Sequence, residues 1–314
     1  MPSSASLSDR AVLAAVLGPT AVGKSAAAVA LAERFDGEIV NCDSMQVYRG
    51  FDIGTDKPGR EERARVPHHL LDIVDGRTQF TAADFAVRAA EAVRAIARRG
   101  RLPLVVGGTG LYFRALFEGL FPGPGRDAAV RAALEAEVRA AGPEALWERL
   151  QAVDPEYAAK VGRRDAVRIV RALEVETLTG IPLSVHFRGT AGYLPDFRAV
   201  KIGLRLESGA LARRIEERVD RMFAQGLVEE VRGLLRGGLE ESAPPFKALG
   251  YRQVLRALRG EISVEEAVRL TKIDTRHYAK RQMTWFRKSE GIAWFSPDDL
   301  EAAAAHIASQ MSPP

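Results

Sequence analysis

Gly18-Pro19-Thr20-Ala21-Val22-Gly23-Lys24-Ser25 is the stretch that decides the fold of this 314-residue chain. It has the form G-x-x-x-x-G-K-[ST] and follows the apolar run 11–17, which reads as a buried strand. In a strand–loop–helix unit of this kind, backbone N–H groups wrap a polyphosphate. Lys24 reaches its oxygens, and Ser25 offers a hydroxyl to Mg²⁺. The helix that starts there points its positive end at the same anion. Residues 26–35 are strong helix formers, Asp36-Gly37 stops them, and 38–41 reads as a second strand. Such a unit opens a parallel α/β sheet but leaves open which phosphorylated molecule is held.

Working outward, residues 43–60 are too polar and too punctuated for a regular element, and a long loop at the carboxyl end of a parallel strand is where ligands bind. A short strand is expected over 69–74 and a helix over 81–99. The apolar run 102–106 then delivers Gly107-Gly108-Thr109-Gly110 to the same sheet edge as the phosphate loop. Composition shifts at Phe121-Pro122-Gly123-Pro124-Gly125, after which helices are expected over 127–141, 144–150, 155–161 and 163–179. Alternation returns at 199–206 as a strand rejoining the sheet. Helices follow over 208–235, 248–258 and 264–288, then a strand at 292–295 and a helix over 297–309. The expected fold is therefore α/β: a P-loop NTPase-like parallel sheet core flanked by helices, with a small all-helical insertion domain. Its parts are 1–121 (core), 122–195 (insertion) and 196–314 (core, with basic C-terminal helices). The first ten residues, rich in Ser and Ala, read as a frayed lead-in.

A single cysteine, Cys42, excludes an internal disulfide and any multi-cysteine metal site, and it fits the reducing cytoplasm. Neither a signal peptide nor an apolar run of membrane-spanning length is visible, so no membrane partner is expected. Net charge is only +4, yet the basic residues are mostly arginine and crowd the second half, which fits a polyanionic partner. On the last long helix, Arg269, Lys272, Arg276, Lys280 and Arg287 fall within an arc of about 80°. That arc is either a solvated face or one that tracks phosphates.

Asp43 ends the second strand, where a carboxylate faces a ligand held at the first. It either caps the following turn or holds Mg²⁺ through water, or it acts on the ligand. Beside it, Gln46 is an amide able to pair bidentately with an adenine edge. Thr109, flanked by glycines, suits a phosphate oxygen or simply ends a strand. Arg214, Arg218 and Arg221 share one helix face, interleaved with Glu216 and Glu217, and could be no more than a salt-bridged surface. His68-His69 has no partner at metal-ligand spacing.

Several strings run in order over nearly the whole chain: Gly18 to Ser25; Asp43-Ser44-Met45-Gln46-Val47-Tyr48-Arg49-Gly50; Asp52-Ile53-Gly54-Thr55; Pro67-His68-His69-Leu70; Val106 to Tyr112; Arg171-Ala172-Leu173-Glu174; Gly250-Tyr251-Arg252; and Ala279-Lys280-Arg281-Gln282 with Thr284-Trp285-Phe286-Arg287. Together they resemble the bacterial tRNA dimethylallyltransferase family. The resemblance implies that Gly18, Thr20, Ala21, Val22, Gly23, Lys24, Ser25 and Arg218 bind the diphosphate of dimethylallyl diphosphate, with Ser25 holding Mg²⁺. Its prenyl group would pass to N6 of adenosine 37, next to the anticodon of tRNAs reading codons that start with U. Asp43, Thr109 and Arg218 are the implied catalytic residues. The anticodon stem–loop would be gripped by Asp43, Ser44, Met45, Gln46, Thr109, Arg131, Val167, Arg168, Ile169, Val170, Arg171, Lys247, Gly250, Tyr251, Arg252, Arg276, Lys280 and Arg287. A cytoplasmic monomer is implied as well.

Three alternatives compete with it. A small-molecule kinase with a P-loop would need an acid where the third strand ends in Gly-Gly-Thr, and it has no use for a basic helix. A prenyltransferase of free adenine nucleotides would need neither the insertion nor the arginine-rich last third. A nucleotide-gated RNA-binding protein without covalent chemistry would need no acid at position 43.

Overall fold

The computed structural model describes residues 10–121 and 123–311. Most of the expected lead-in, and Pro122 at the expected hinge, lie outside the described residues. The chain forms two compact units, one of residues 1–116 with 193–314 and one of residues 117–192.

The first unit begins with β1 (Ala11–Leu17), α1 (Lys24–Arg34), β2 (Gly37–Asn41), α2 (Arg60–Arg65), β3 (His68–His69), α3 (Ala82–Arg98), β4 (Leu102–Gly107) and α4 (Gly110–Phe117). The second unit holds α5 (Ala128–Ala141), α6 (Pro143–Val153), α7 (Pro155–Ala158), α8 (Ala166–Thr179) and α9 (Leu183–Phe187). The first unit then resumes with β5 (Phe197–Leu204), α10 (Ser208–Ala224), α11 (Leu227–Arg236), a 3₁₀ turn at Pro244–Lys247, α12 (Tyr251–Leu258), α13 (Val264–Phe286), β6 (Ile292–Phe295) and α14 (Leu300–Met311).

The six strands form one sheet in the order β3-β2-β4-β1-β5-β6, and every pair is parallel. The continuous apolar runs of β1 and β4 follow from burial on both faces, with α1 and α14 packing on one side and α3 meeting β2 and β4. Because β2, β4 and β1 are neighbours, the loops at their carboxyl ends emerge side by side. A Cβ at Gly107 would stand 2.0 Å from the Cys42 carbonyl oxygen, so only glycine lets β4 end this close to β2.

A second apolar cluster binds the polar loop after β2 to the C-terminal helices. Val47, Tyr48 and Phe51 pack on Leu227, Val231, Phe246, Tyr251 and Val254, with Phe51 5.3 Å from Phe246 and 5.0 Å from Tyr251. Irregular backbone is thus held rigidly at the ligand edge.

Several elements differ from expectation. The strand expected over 69–74 shrinks to His68–His69, because Leu70 and Asp72 take left-handed backbone (φ 62 and 56) and only Val74 bridges back, to Tyr48. The helix expected over 208–235 is two helices, broken at Gly226 with φ 98. The helical unit spans 117–192 rather than 122–195. Tyr193 already donates to the Leu116 carbonyl at 2.9 Å and so rejoins the first unit. The short helices α2, α4 and α9 carry too few apolar repeats to show a period in the sequence.

Candidate active site at the sheet edge

The phosphate loop enters α1 through Gly23, held left-handed at φ 103, and no side chain caps the helix or places an acid in its first turn. The first amides of α1 are therefore open to an anion. Lys24 Nζ donates to the Pro19 carbonyl at 2.7 Å. Burial first, and then the Arg218 charge, pull the Lys24 ammonium from its ordinary value down to about 8, while Asp43 and Asp56 act the other way. A bound diphosphate favours the charged form, so binding raises this pKa and takes up a proton. Titration calorimetry with inorganic diphosphate should accordingly show affinity falling as pH rises through about 8. Affinity flat across that range would contradict the assignment.

Helix α10 turns its arginines onto the loop. Arg214 Nη1 donates to the Val22 carbonyl at 3.2 Å. Arg218 Nη1 donates to Thr20 Oγ1 at 2.6 Å and its Nη2 to the Thr55 carbonyl at 3.3 Å. Arg218 Nε lies 3.3 Å from an Asp56 carboxylate oxygen, yet it is buried with no hydrogen-bond partner among the described residues. From α13, Gln282 Oε1 accepts the Thr20 N–H at 2.8 Å while its Nε2 donates to the Gly108 carbonyl at 2.8 Å. One side chain thereby ties the phosphate loop to the second glycine turn.

Asp43 does two things at once. Its Oδ1 accepts the Met45 and Gln46 N–H groups at 2.8 and 3.4 Å, an Asx turn that fixes the carboxylate. Oδ2 accepts no hydrogen bond among the described residues. Ser44 N–H donates to Thr109 Oγ1 at 3.1 Å, so Thr109 steadies the same turn. Gln46 Nε2 donates to the carbonyls of Thr55 and Asp56 at 3.1 and 3.2 Å. Both amide hydrogens are thus engaged, and the bidentate adenine contact expected of Gln46 reduces to one acceptor, Oε1.

Two cavities meet here. One, of about 420 Å³, is lined by Lys24, Ser25, Asn41, Gly107, Arg214 and Arg221 among others. The second, of about 340 Å³, is lined by Met45, Val219, Met222, Lys247, Leu249, Arg252 and Arg281 among others. Thr20, Asp43, Thr55, Arg218 and Tyr278 line both. An anion cavity and an apolar cavity rimmed by basic side chains thus share a junction holding one carboxylate and one guanidinium. Burial, then Asp43, push the Tyr278 hydroxyl up to about 12.

A family model described as IPP transferase matches residues 46–289. The chain belongs to the IPP transferase family. It is 54% identical over 286 residues to a tRNA dimethylallyltransferase of Geobacter metallireducens, covering 91% of this chain and 93% of that one. It is 46% identical to a tRNA dimethylallyltransferase of Thermomicrobium roseum, over 92% of this chain and 87% of that one. Its fold is similar to the full-length tRNA isopentenylpyrophosphate transferase of Bacillus halodurans, with TM-score 0.71, 40% identity and 96% of each chain covered. It is also similar to a eukaryotic dimethylallyltransferase solved acting on tRNA, with TM-score 0.76 and 28% identity over 96% of this chain and 77% of that one. These are the relatives that the motifs already suggested.

In this IPP transferase the remaining sequence-derived residues have different surroundings. Lys247 and Arg252 line the second cavity. Tyr251, expected to touch RNA, is instead fully buried, and Gly250 packs beneath Leu227. In the helical unit, Ile169 and Val170 are core residues, so only Val167 and Arg168 of that segment face outward. Arg131 and Arg171 both pair with Glu174, which is wholly buried, at 2.7 and 2.9 Å. The basic arc on α13 is partly neutralised: Arg269 pairs with Glu266, Lys272 with Asp220 and Arg276 with Glu216. The last two join α13 to α10. Among the described residues no ion pair engages Lys280 or Arg287. No helix there is long and apolar enough to cross a membrane.

Sequence reading missed Tyr278 and Gln282 as site residues. Their signal was a polar line at helical spacing, Thr271, Thr275, Tyr278 and Gln282, on α13. Hydrophobic periodicity does not register such a face.

Proposed function

We propose that this IPP transferase moves the dimethylallyl group of dimethylallyl diphosphate to N6 of adenosine 37, beside the anticodon of tRNAs reading codons that start with U. The observation that carries this is the junction: Asp43 and Arg218 stand where an anion cavity and a basic-rimmed apolar cavity meet. The diphosphate lies against the loop amides, Lys24 and Arg218. Adenine enters from the other side after flipping out of its stack, at a cost of about a few kcal/mol.

The N6 lone pair then attacks the first prenyl carbon, and the bond from that carbon to the diphosphate oxygen breaks, its electron pair leaving with the oxygen. The N6 proton passes to the free Oδ2 of Asp43. The departing charge meets Lys24, Arg218 and the α1 amides. The Ser25 hydroxyl would hold Mg²⁺ jointly with diphosphate oxygens. One protein oxygen is a normal share at such sites, and the described residues offer no cluster of three carboxylate, thiol or imidazole ligands. When bound, Mg²⁺ supplies charge neutralisation of the leaving group. A cytoplasmic monomer suits this work.

Labelled dimethylallyl diphosphate offered with tRNA or with AMP, ADP and ATP tests the acceptor. Label is expected in the RNA; label confined to free nucleotide would contradict the proposal. Replacing both Lys280 and Arg287 with Gln should weaken tRNA binding and lower the salt slope of its affinity by about 2. An unchanged slope would make them plain solvated side chains.

A further inference from the structure

We propose that Glu230 is a positioning residue for the transfer, anchoring residues 52–56 so that Arg218 and Gln46 are set at the junction of the two cavities. This inference rests on the function proposed above. Glu230 stands on α11, outside both cavities' linings, and its carboxylate collects four donors. The Asp52 and Ile53 N–H groups donate to Oε2 at 3.0 and 2.8 Å. Gly54 N–H donates to Oε1 at 3.4 Å and the Tyr251 hydroxyl to Oε1 at 2.6 Å.

Three consecutive amides converging on one carboxylate pin a loop that belongs to no helix or strand, and a charged acceptor makes such bonds about twice as strong as neutral ones. Tyr251 is fully buried, and burial first, then the Glu230 charge, push its hydroxyl far above the usual range, so it stays a donor. Its ring packs on Gly54, where a Cβ would come within 2.5 Å.

The pinned loop then acts through its next two residues. The Thr55 carbonyl accepts Gln46 Nε2 and Arg218 Nη2, the Asp56 carbonyl accepts Gln46 Nε2, and the Asp56 carboxylate faces Arg218 Nε. The Asp52-Ile53-Gly54-Thr55 and Gly250-Tyr251-Arg252 strings thus meet at one carboxylate. The sequence suggested no chemistry for the first and RNA contact for the second. Their common product is the aim of one guanidinium and one amide.

Glu230→Gln keeps the shape and one acceptor oxygen but presents N–H where an oxygen received amides. Label transfer to tRNA is measured for wild type, Glu230→Gln, Arg218→Ala and the double variant. We expect kcat/KM for dimethylallyl diphosphate to fall about tenfold in Glu230→Gln, but less than about threefold when the change is added to Arg218→Ala. A general loss of stability would lower both backgrounds alike. Equal fold-losses in the two backgrounds, or no loss in folded Glu230→Gln, overturn the proposal.

If Glu230→Gln does not fold, Tyr251→Phe removes one donor of the four and enters the same cycle. A loss of about threefold is then expected, and it should vanish beside Arg218→Ala. The same two outcomes overturn the proposal. Failure of the wild-type chain to label tRNA would overturn the function itself; wild-type labelling with equal losses overturns only the role of Glu230.

Discussion

Asp43→Asn should lower turnover by about 10²–10⁴-fold, the range for losing a general base, while tRNA affinity stays within about twofold. Asparagine retains the Oδ1 that receives the Met45 and Gln46 amides, so the turn and the second cavity persist. What it loses is the basicity of the opposite oxygen, the one without a partner among the described residues. Single-turnover label transfer and a filter-binding titration separate the two effects. Wild-type turnover in this variant would remove Asp43 from the chemistry and leave it only as a turn cap. Parallel loss of RNA affinity would assign its importance to binding.

Arg218→Ala should lower kcat/KM for dimethylallyl diphosphate by about 10²–10³-fold, as for removal of one preorganised charge-stabilising donor. The guanidinium spans the phosphate loop and the Thr55–Asp56 carbonyls, so its loss withdraws charge from the leaving group and loosens two walls of the junction. A second readout accompanies the first. Arg218 lowers the Lys24 pKa, so removing it raises that pKa and moves the weakening of diphosphate affinity to higher pH. Unchanged kcat/KM together with an unchanged pH profile would show that Arg218 faces neither diphosphate nor Lys24.

The sequence made the sheet edge legible because each of its parts is local. A phosphate loop needs eight consecutive residues, and a parallel strand buried on both faces needs one apolar run; β1 with Gly18 to Ser25 and β4 with its glycine turn show both. Asp43 could be placed at the ligand edge because it directly follows such a strand. Long-range partners carry no comparable local mark. Glu230 and Tyr251 stand about 180 and 200 residues from the loop they hold; in the sequence Glu230 looks like an ordinary helical residue, and the motif around Tyr251 points to RNA rather than to that loop. The basic arc on α13 was visible, but the acids on α10 that neutralise part of it belong to a different helix. Ile169, Val170 and Tyr251 came into the RNA-binding set with their motifs, whereas a motif can be kept for packing as well as for contact. Their burial decides for packing.

The most direct test of prenyl transfer through this junction is product stoichiometry. The wild-type chain is incubated with Mg²⁺, dimethylallyl diphosphate and tRNA in the absence of ATP, and the RNA mass and the released diphosphate are measured together. We predict a gain of one C5H8 per RNA, located on adenosine 37 after nuclease digestion, with one diphosphate released for each gain. RNA of unchanged mass, or a requirement for ATP with phosphate appearing on a product, would contradict it.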